Sequence, residues 1–162
     1  MKSRILKELN EIEINNDVKV IYACESGSRA WGFASEDSDY DVRFIYVHSK
    51  YWYLTIADKR DVIEIPFNGR LDINGWGVRK SLKLLRKSNS PLLEWLSSPI
   101  KYRNVKSAMD AFVELSADAF LPETSCHHYS SIAQNIIDNF KEEEEVRVKS
   151  YLYSGKKSVT EK

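Results

Sequence analysis

The chain is poor in the features that would place it outside the cell or in a membrane. It has two cysteines in 162 residues, Cys24 and Cys126, and they fit neither zinc-ligand nor redox spacing. A disulfide scaffold is thereby excluded. No apolar run approaches the ~20 residues of a membrane span, and the N-terminus mixes charges into its apolar pattern, unlike an export signal. These absences point to a cytoplasmic location with both thiols reduced. There is also no charge excess: 24 Lys and Arg balance 24 Asp and Glu. Global attraction to nucleic acid therefore has no support, although a local patch is not excluded. What is present is a large apolar fraction, 43%, enough to bury a core.

The pattern along the chain reads as α/β in its first two thirds and helical beyond. Ser3 is a candidate N-cap for an amphipathic helix over 4–13, with Ile5, Leu6, Leu9 and Ile12 at helical spacing. Residues 18–24 read as a core strand and 39–48 as a second, with Val42, Phe44 and Tyr46 alternating. Asn68-Gly69 between apolar runs predicts a two-residue hairpin joining strands over 61–67 and 70–74. Helices are expected at 78–87, from Pro91 as first residue, and over 105–120, 125–140 and 143–154, with a polar tail after Tyr153. Segment 50–56 is aromatic and fits no single pattern. A boundary is expected near 100–105.

Two motifs carry chemistry. Gly27-Ser28 follows the first strand, where a turn aims backbone N–H groups and a hydroxyl at an anion. Asp39 and Asp41 open the second strand; two apart, they share a face and lie about 6–7 Å apart. That spacing suits one or two Mg²⁺ (or Mn²⁺) ions. A Gly-Ser turn or an Asp-x-Asp pair alone is a weak signal; the combination, with a strand on each side, points to nucleotidyl transfer from a nucleoside triphosphate (NTP). A third carboxylate should bind metal and help deprotonate the acceptor hydroxyl. With a two-residue turn, Ile65 pairs with Asp72 and Glu64 with Ile73, so Glu64 and Asp72 face opposite ways. Asp72 is the choice, since an acid within an apolar hairpin needs a reason.

The stretches from Glu25 to Phe33 and from Ser38 to Phe44 resemble the nucleotidyltransferase superfamily related to DNA polymerase β. They are closest to a bacterial and phage family of predicted nucleotidyltransferases associated with RNA-repair operons. The similarity continues through Trp52-Tyr53-Leu54, Asp72-Ile73-Asn74-Gly75-Trp76, Arg79-Lys80, Glu94-Trp95-Leu96 and Pro99, and returns at His127-His128-Tyr129 and Lys149 to Tyr153. It implies a small mixed sheet flanked by helices, with a nucleotidyltransferase core over 1–104 and an incomplete helical segment over 105–162. It also implies that Asp39, Asp41 and Asp72 are the catalytic metal ligands and that Gly27 and Ser28 contact the triphosphate. The acceptor would be an RNA or DNA end, or, in an antitoxin-type relative, a protein. A third reading is a relative that binds nucleotide or a partner without turnover. Two departures stand out. Gly77 occupies a position where an acid is expected, and relatives continue with more helix past Tyr153, which reads as truncation here.

Other residues have a sharp and a bland reading. Arg29 could meet phosphates or form a surface salt bridge; Lys80 could reach phosphates or lie on a solvated helix face. Arg43 shares parity with Asp39 and Asp41 and is placed to neutralise them without metal. Arg79, Lys83, Arg86 and Lys87 could face RNA. Trp31, Trp76 and Trp95 read as core packing before base stacking. Cys126, His127 and His128 diverge around a helix and do not read as a metal site.

Overall fold

The computed structural model describes residues 1–67 and 69–140. It divides into two compact units, Met1–Phe120 and Leu121–Lys162. In the first, β1 (Val18–Ser26), β2 (Tyr40–His48), β3 (Val62–Ile65), β4 (Leu71–Gly77) and β5 (Lys101–Asn104) form one sheet in the order β3-β4-β2-β1-β5. β2 and β4 run parallel; the other pairs are antiparallel. The helices of this unit are α1 (Lys2–Asn16), α2 (Gly27–Ala30), α3 (Lys50–Tyr53), α4 (Val78–Leu85), α5 (Ser90–Ser97) and α6 (Lys106–Ala119). This is the mixed sheet flanked by helices expected from the sequence. The second unit contributes α7 (Pro122–Phe140). The helix expected over 143–154, the polar tail, and Lys149, Tyr151 and Tyr153 lie outside the described residues.

The sheet is buried on both faces. Ile5, Leu9 and Ile12 form one stripe of α1 and pack on Val20, Ala23, Val42, Phe44, Tyr46 and Ile73. On the opposite face, Ile21, Tyr22, Cys24 and Ile45 meet Leu85 of α4, Leu92 and Trp95 of α5, and Met109 and Phe112 of α6. A register shift between Val20 and Tyr22 reverses the alternation of β1, so Val20 and Ala23 face one core while Ile21, Tyr22 and Cys24 face the other. Each fully buried Leu or Ile contributes about 1.5–3 kcal/mol. Gly75 is dictated by this packing, because a Cβ there would overlap the Phe44 ring. α6, which the sequence placed beyond the boundary near 100–105, packs with the first unit through Met109 and Phe112.

Local signals explain most element ends. α1 begins at Lys2 with no side-chain cap, so Ser3 lies inside its first turn and is not the N-cap expected; Asp17 ends the helix in the left-handed conformation at φ 48°. Asn89 caps α5, its side chain accepting the Leu92 N–H at 3.2 Å, with Pro91 in the first turn. Gly77 is the N-cap of α4, and a side chain there would press on Asp61, whose Cβ would lie 3.2 Å away. The aromatic segment contains one helical turn, α3, whose Trp52 stacks on His48 at 4.0 Å. Trp76 and Trp95 stack on each other at 3.8 Å, consistent with a packing role. β5 was not expected; at four residues it is too short to show alternation.

Candidate active site

β1 ends at Ser26, which pairs with Asp41 of β2. The chain then turns at Gly27, with φ 63°. A Cβ on Gly27 would overlap Asp41 Oδ2 and stand 3.2 Å from Asp41 Cγ. Glycine is thus required twice, for its backbone angle and for its closeness to a carboxylate. The Gly-Ser turn and the Asp-x-Asp pair, ten residues apart in sequence, are neighbours in space.

Asp39 precedes β2 and is exposed; Asp41 is half-buried. Asp72 lies directly across from Asp41 in the parallel β2–β4 ladder. Paired positions share a face at about 4.8 Å. Arg43 bridges the two acids: its Nη2 lies 3.3 Å from Asp41 Oδ1 and 2.8 Å from Asp72 Oδ2. Its Nη1 donates to the Val42 and Asp72 carbonyls, each at 3.2 Å. The neutralising role expected of Arg43 therefore holds for Asp41, and extends to Asp72 rather than Asp39.

The hairpin argument for Asp72 needs correction. β3 and β4 are joined by five residues, not two, because the strands stop at Ile65 and resume at Leu71. Ile65 pairs with Ile73 and Glu64 with Asn74. Asn74 and Asp72 are two apart, so Glu64 lies on the same face as Asp72, contrary to the expectation. Tight-turn chemistry set the predicted register, and Pro66 ended the strand before it reached the turn. What separates the two acids is position: Asp72 sits beside Asp41, whereas Glu64 is a strand further out, exposed, and paired with Arg60.

The remaining predicted residues are placed as follows. The Arg29 guanidinium donates to the carbonyls of Asp39 at 3.0 Å and Ser38 at 2.6 Å, and lies 4.0 Å above the Tyr40 ring. It thereby fixes the backbone that carries Asp39. Ser28 is half-buried in α2. Lys80 stands 5.5 Å from the Trp76 ring. Trp76 is four residues along β4 from Asp72, about 13 Å, so Lys80 is not gathered with the acids. Cys126, His127 and His128 are exposed on α7.

Sequence reasoning missed Glu25. It is fully buried, and its Oε1 accepts the Asp41 backbone N–H at 2.8 Å. The Tyr102 hydroxyl of β5 donates to Oε2, and Ser98 Oγ donates to the Glu25 carbonyl at 2.6 Å. Burial pushes the Glu25 carboxyl above its ordinary pKa, against the hydrogen bonds from Tyr102 and Asp41, which favour the carboxylate. The signal was available: an acid closing an otherwise apolar core strand.

Among the described residues, no three His, Cys, Asp or Glu side chains are gathered into a ready-made metal cluster. What is preformed is the Asp41–Asp72 pair, with Asp39 exposed at its edge. Its carboxylate oxygens suit a hard divalent cation, and a guanidinium nitrogen already sits between them.

Among the described residues, no helix is long and apolar enough to cross a membrane. No solved structure matches the chain. The "uncharacterized protein YcgL" of Bacillus subtilis (strain 168) is 52% identical over 153 residues, an overlap covering 94% of this chain and 59% of that protein. The chain thus spans under two thirds of that relative's length. Residues 1–157 match the family model RlaP, the RNA repair pathway DNA polymerase beta family. With the mixed sheet and the juxtaposed Gly27, Asp41 and Asp72 in place, the chain belongs to this polymerase-β-like nucleotidyltransferase family linked to RNA repair.

Proposed function

We propose that this site, where β2 and β4 begin, transfers a nucleoside monophosphate from an NTP to a hydroxyl acceptor. An RNA end is the acceptor favoured by the family's link to RNA repair. One observation carries the reading: Asp72 faces Asp41 across the parallel ladder while Gly27 packs against the Asp41 carboxylate. Asp39, Asp41 and Asp72 would hold Mg²⁺ or Mn²⁺, which when bound supplies charge stabilisation to the attacking and leaving oxygens of an in-line displacement.

The chain's own groups have separate tasks. The Gly27-Ser28 turn brings backbone N–H groups and the Ser28 hydroxyl to the triphosphate. Asp72 accepts the proton of the acceptor hydroxyl as its oxygen bonds the α-phosphorus. The bond from the α-phosphorus to the bridging oxygen breaks, and pyrophosphate leaves. Arg29 and Glu25 act one step back, fixing the backbone of Asp39 and Asp41.

The test is label transfer from α-³²P-NTP to RNA, DNA or protein. Transfer is expected only with Mg²⁺ or Mn²⁺, and Asp39→Asn and Asp72→Asn should each abolish it. Labelling by the variants equal to that of the parent chain would refute the assignment.

A further inference from the structure

The Arg43 contacts define more than a neutral resting state. One nitrogen, Nη2, lies 2.8 Å from an Asp72 oxygen and 3.3 Å from an Asp41 oxygen. A divalent ion held by both carboxylates needs oxygens at about 2.0–2.1 Å for Mg²⁺. The space between these two oxygens cannot hold both the ion and the nitrogen. We propose that Arg43 is an internal cation occupying the divalent ion's place, and that it must be displaced for the site to load. This rests on the reading of Asp41 and Asp72 as metal ligands.

The geometry favours release over permanent occupancy. Among the described residues, Arg43 is held elsewhere through Nη1, by two carbonyl bonds at 3.2 Å, the long end of the normal range. Its side chain is 19% exposed, so the head group has a route to solvent. It shares a strand face with Asp41, and Gly27 packs against the Asp41 carboxylate. A guanidinium expelled by the ion therefore stays beside the Gly27-Ser28 turn, where a triphosphate supplies the nearest anion. Metal and triphosphate then load with positive coupling, which by linkage is reciprocal.

The experiment is Mn²⁺ binding by calorimetry to the parent chain, Arg43→Met and Arg43→Lys, without nucleotide and with a non-hydrolysable NTP analogue. Without nucleotide, Arg43→Met should bind Mn²⁺ at least tenfold more tightly than the parent, with Arg43→Lys between them. The analogue should strengthen Mn²⁺ binding more in the parent than in Arg43→Met. Thermal unfolding guards against misfolding: Mn²⁺ should raise the Tm of Arg43→Met more than that of the parent. Equal or weaker Mn²⁺ binding by a folded Arg43→Met, while the parent binds, overturns the placeholder role alone. No Mn²⁺ binding by any folded variant overturns the metal assignment, and the placeholder with it.

Discussion

Replacing Gly27 with Ala tests the meeting of turn and carboxylate on which the site depends. Two effects follow from one methyl group. At φ 63° an L-residue costs about 1–2 kcal/mol. For a domain of this size that lowers Tm by roughly 4–10 °C. The second effect is displacement. The new Cβ would lie 3.2 Å from Asp41 Cγ and overlap Oδ2, so the carboxylate must swing by roughly 1 Å. That breaks its contact with Arg43 and moves a proposed ligand by an amount that costs about 100-fold in rate. Gly32 separates the two effects, since it has φ 78° but no atom within 4 Å of a Cβ. Gly32→Ala should therefore show the thermal loss and keep label transfer, whereas Gly27→Ala should lose both. Melting curves and initial rates on the two variants decide it. Equal transfer by both would refute the claim that Gly27 is fixed by Asp41.

Three further outcomes follow. Glu25→Leu should cost about 2–4 kcal/mol in denaturant unfolding, because the Asp41 N–H and Tyr102 hydroxyl lose their partner in a buried site. Glu25→Gln keeps an acceptor and should cost clearly less; equal losses would show that the hydrogen bonds are immaterial. Cys24 is fully buried, and burial pushes its thiol up to about 12. The folded chain keeps that proton after the unfolded chain has released it near 9, so this thiol's contribution to stability is intact below pH 9 and is lost as pH rises toward 12. The slope is at most about 1.4 kcal/mol per pH unit. At pH 8 a maleimide should label one thiol, the exposed Cys126, and reach Cys24 only on unfolding; prompt labelling of both in the native protein would contradict this.

Patterns local to the chain were legible without coordinates. The α1 stripe of Ile5, Leu9 and Ile12, the alternation of Val42, Phe44 and Tyr46, and the short helix at Pro91 depend on neighbours a few residues away, and each formed; the Asn89 cap that starts that helix at Ser90 was not read. So did the common face of Asp41 and Arg43, which strand period alone imposes. The β3–β4 register was not legible. Asn68-Gly69 promised a two-residue turn, but Pro66 and the pairing of β4 with β2 set the strand ends. The argument that chose Asp72 as the third carboxylate failed; what places Asp72 beside Asp41 is the parallel ladder, a long-range pairing.

The sequence by itself determined the α+β class, the Gly27-Ser28 turn and the Asp39–Asp41 spacing, because backbone angles and side-chain periodicity are local properties. Only the tertiary structure decided that Gly27 touches Asp41, that Arg43 bridges Asp41 to Asp72, and that Glu25 and Tyr102 hold the Asp41 backbone from beneath. The hydrogen bonds among them from Asp41 to Glu25, from Arg43 to Asp72 and from Tyr102 to Glu25 join strands 16–77 residues apart in sequence. They exist only once the two apolar cores force β1, β2, β4 and β5 into one sheet.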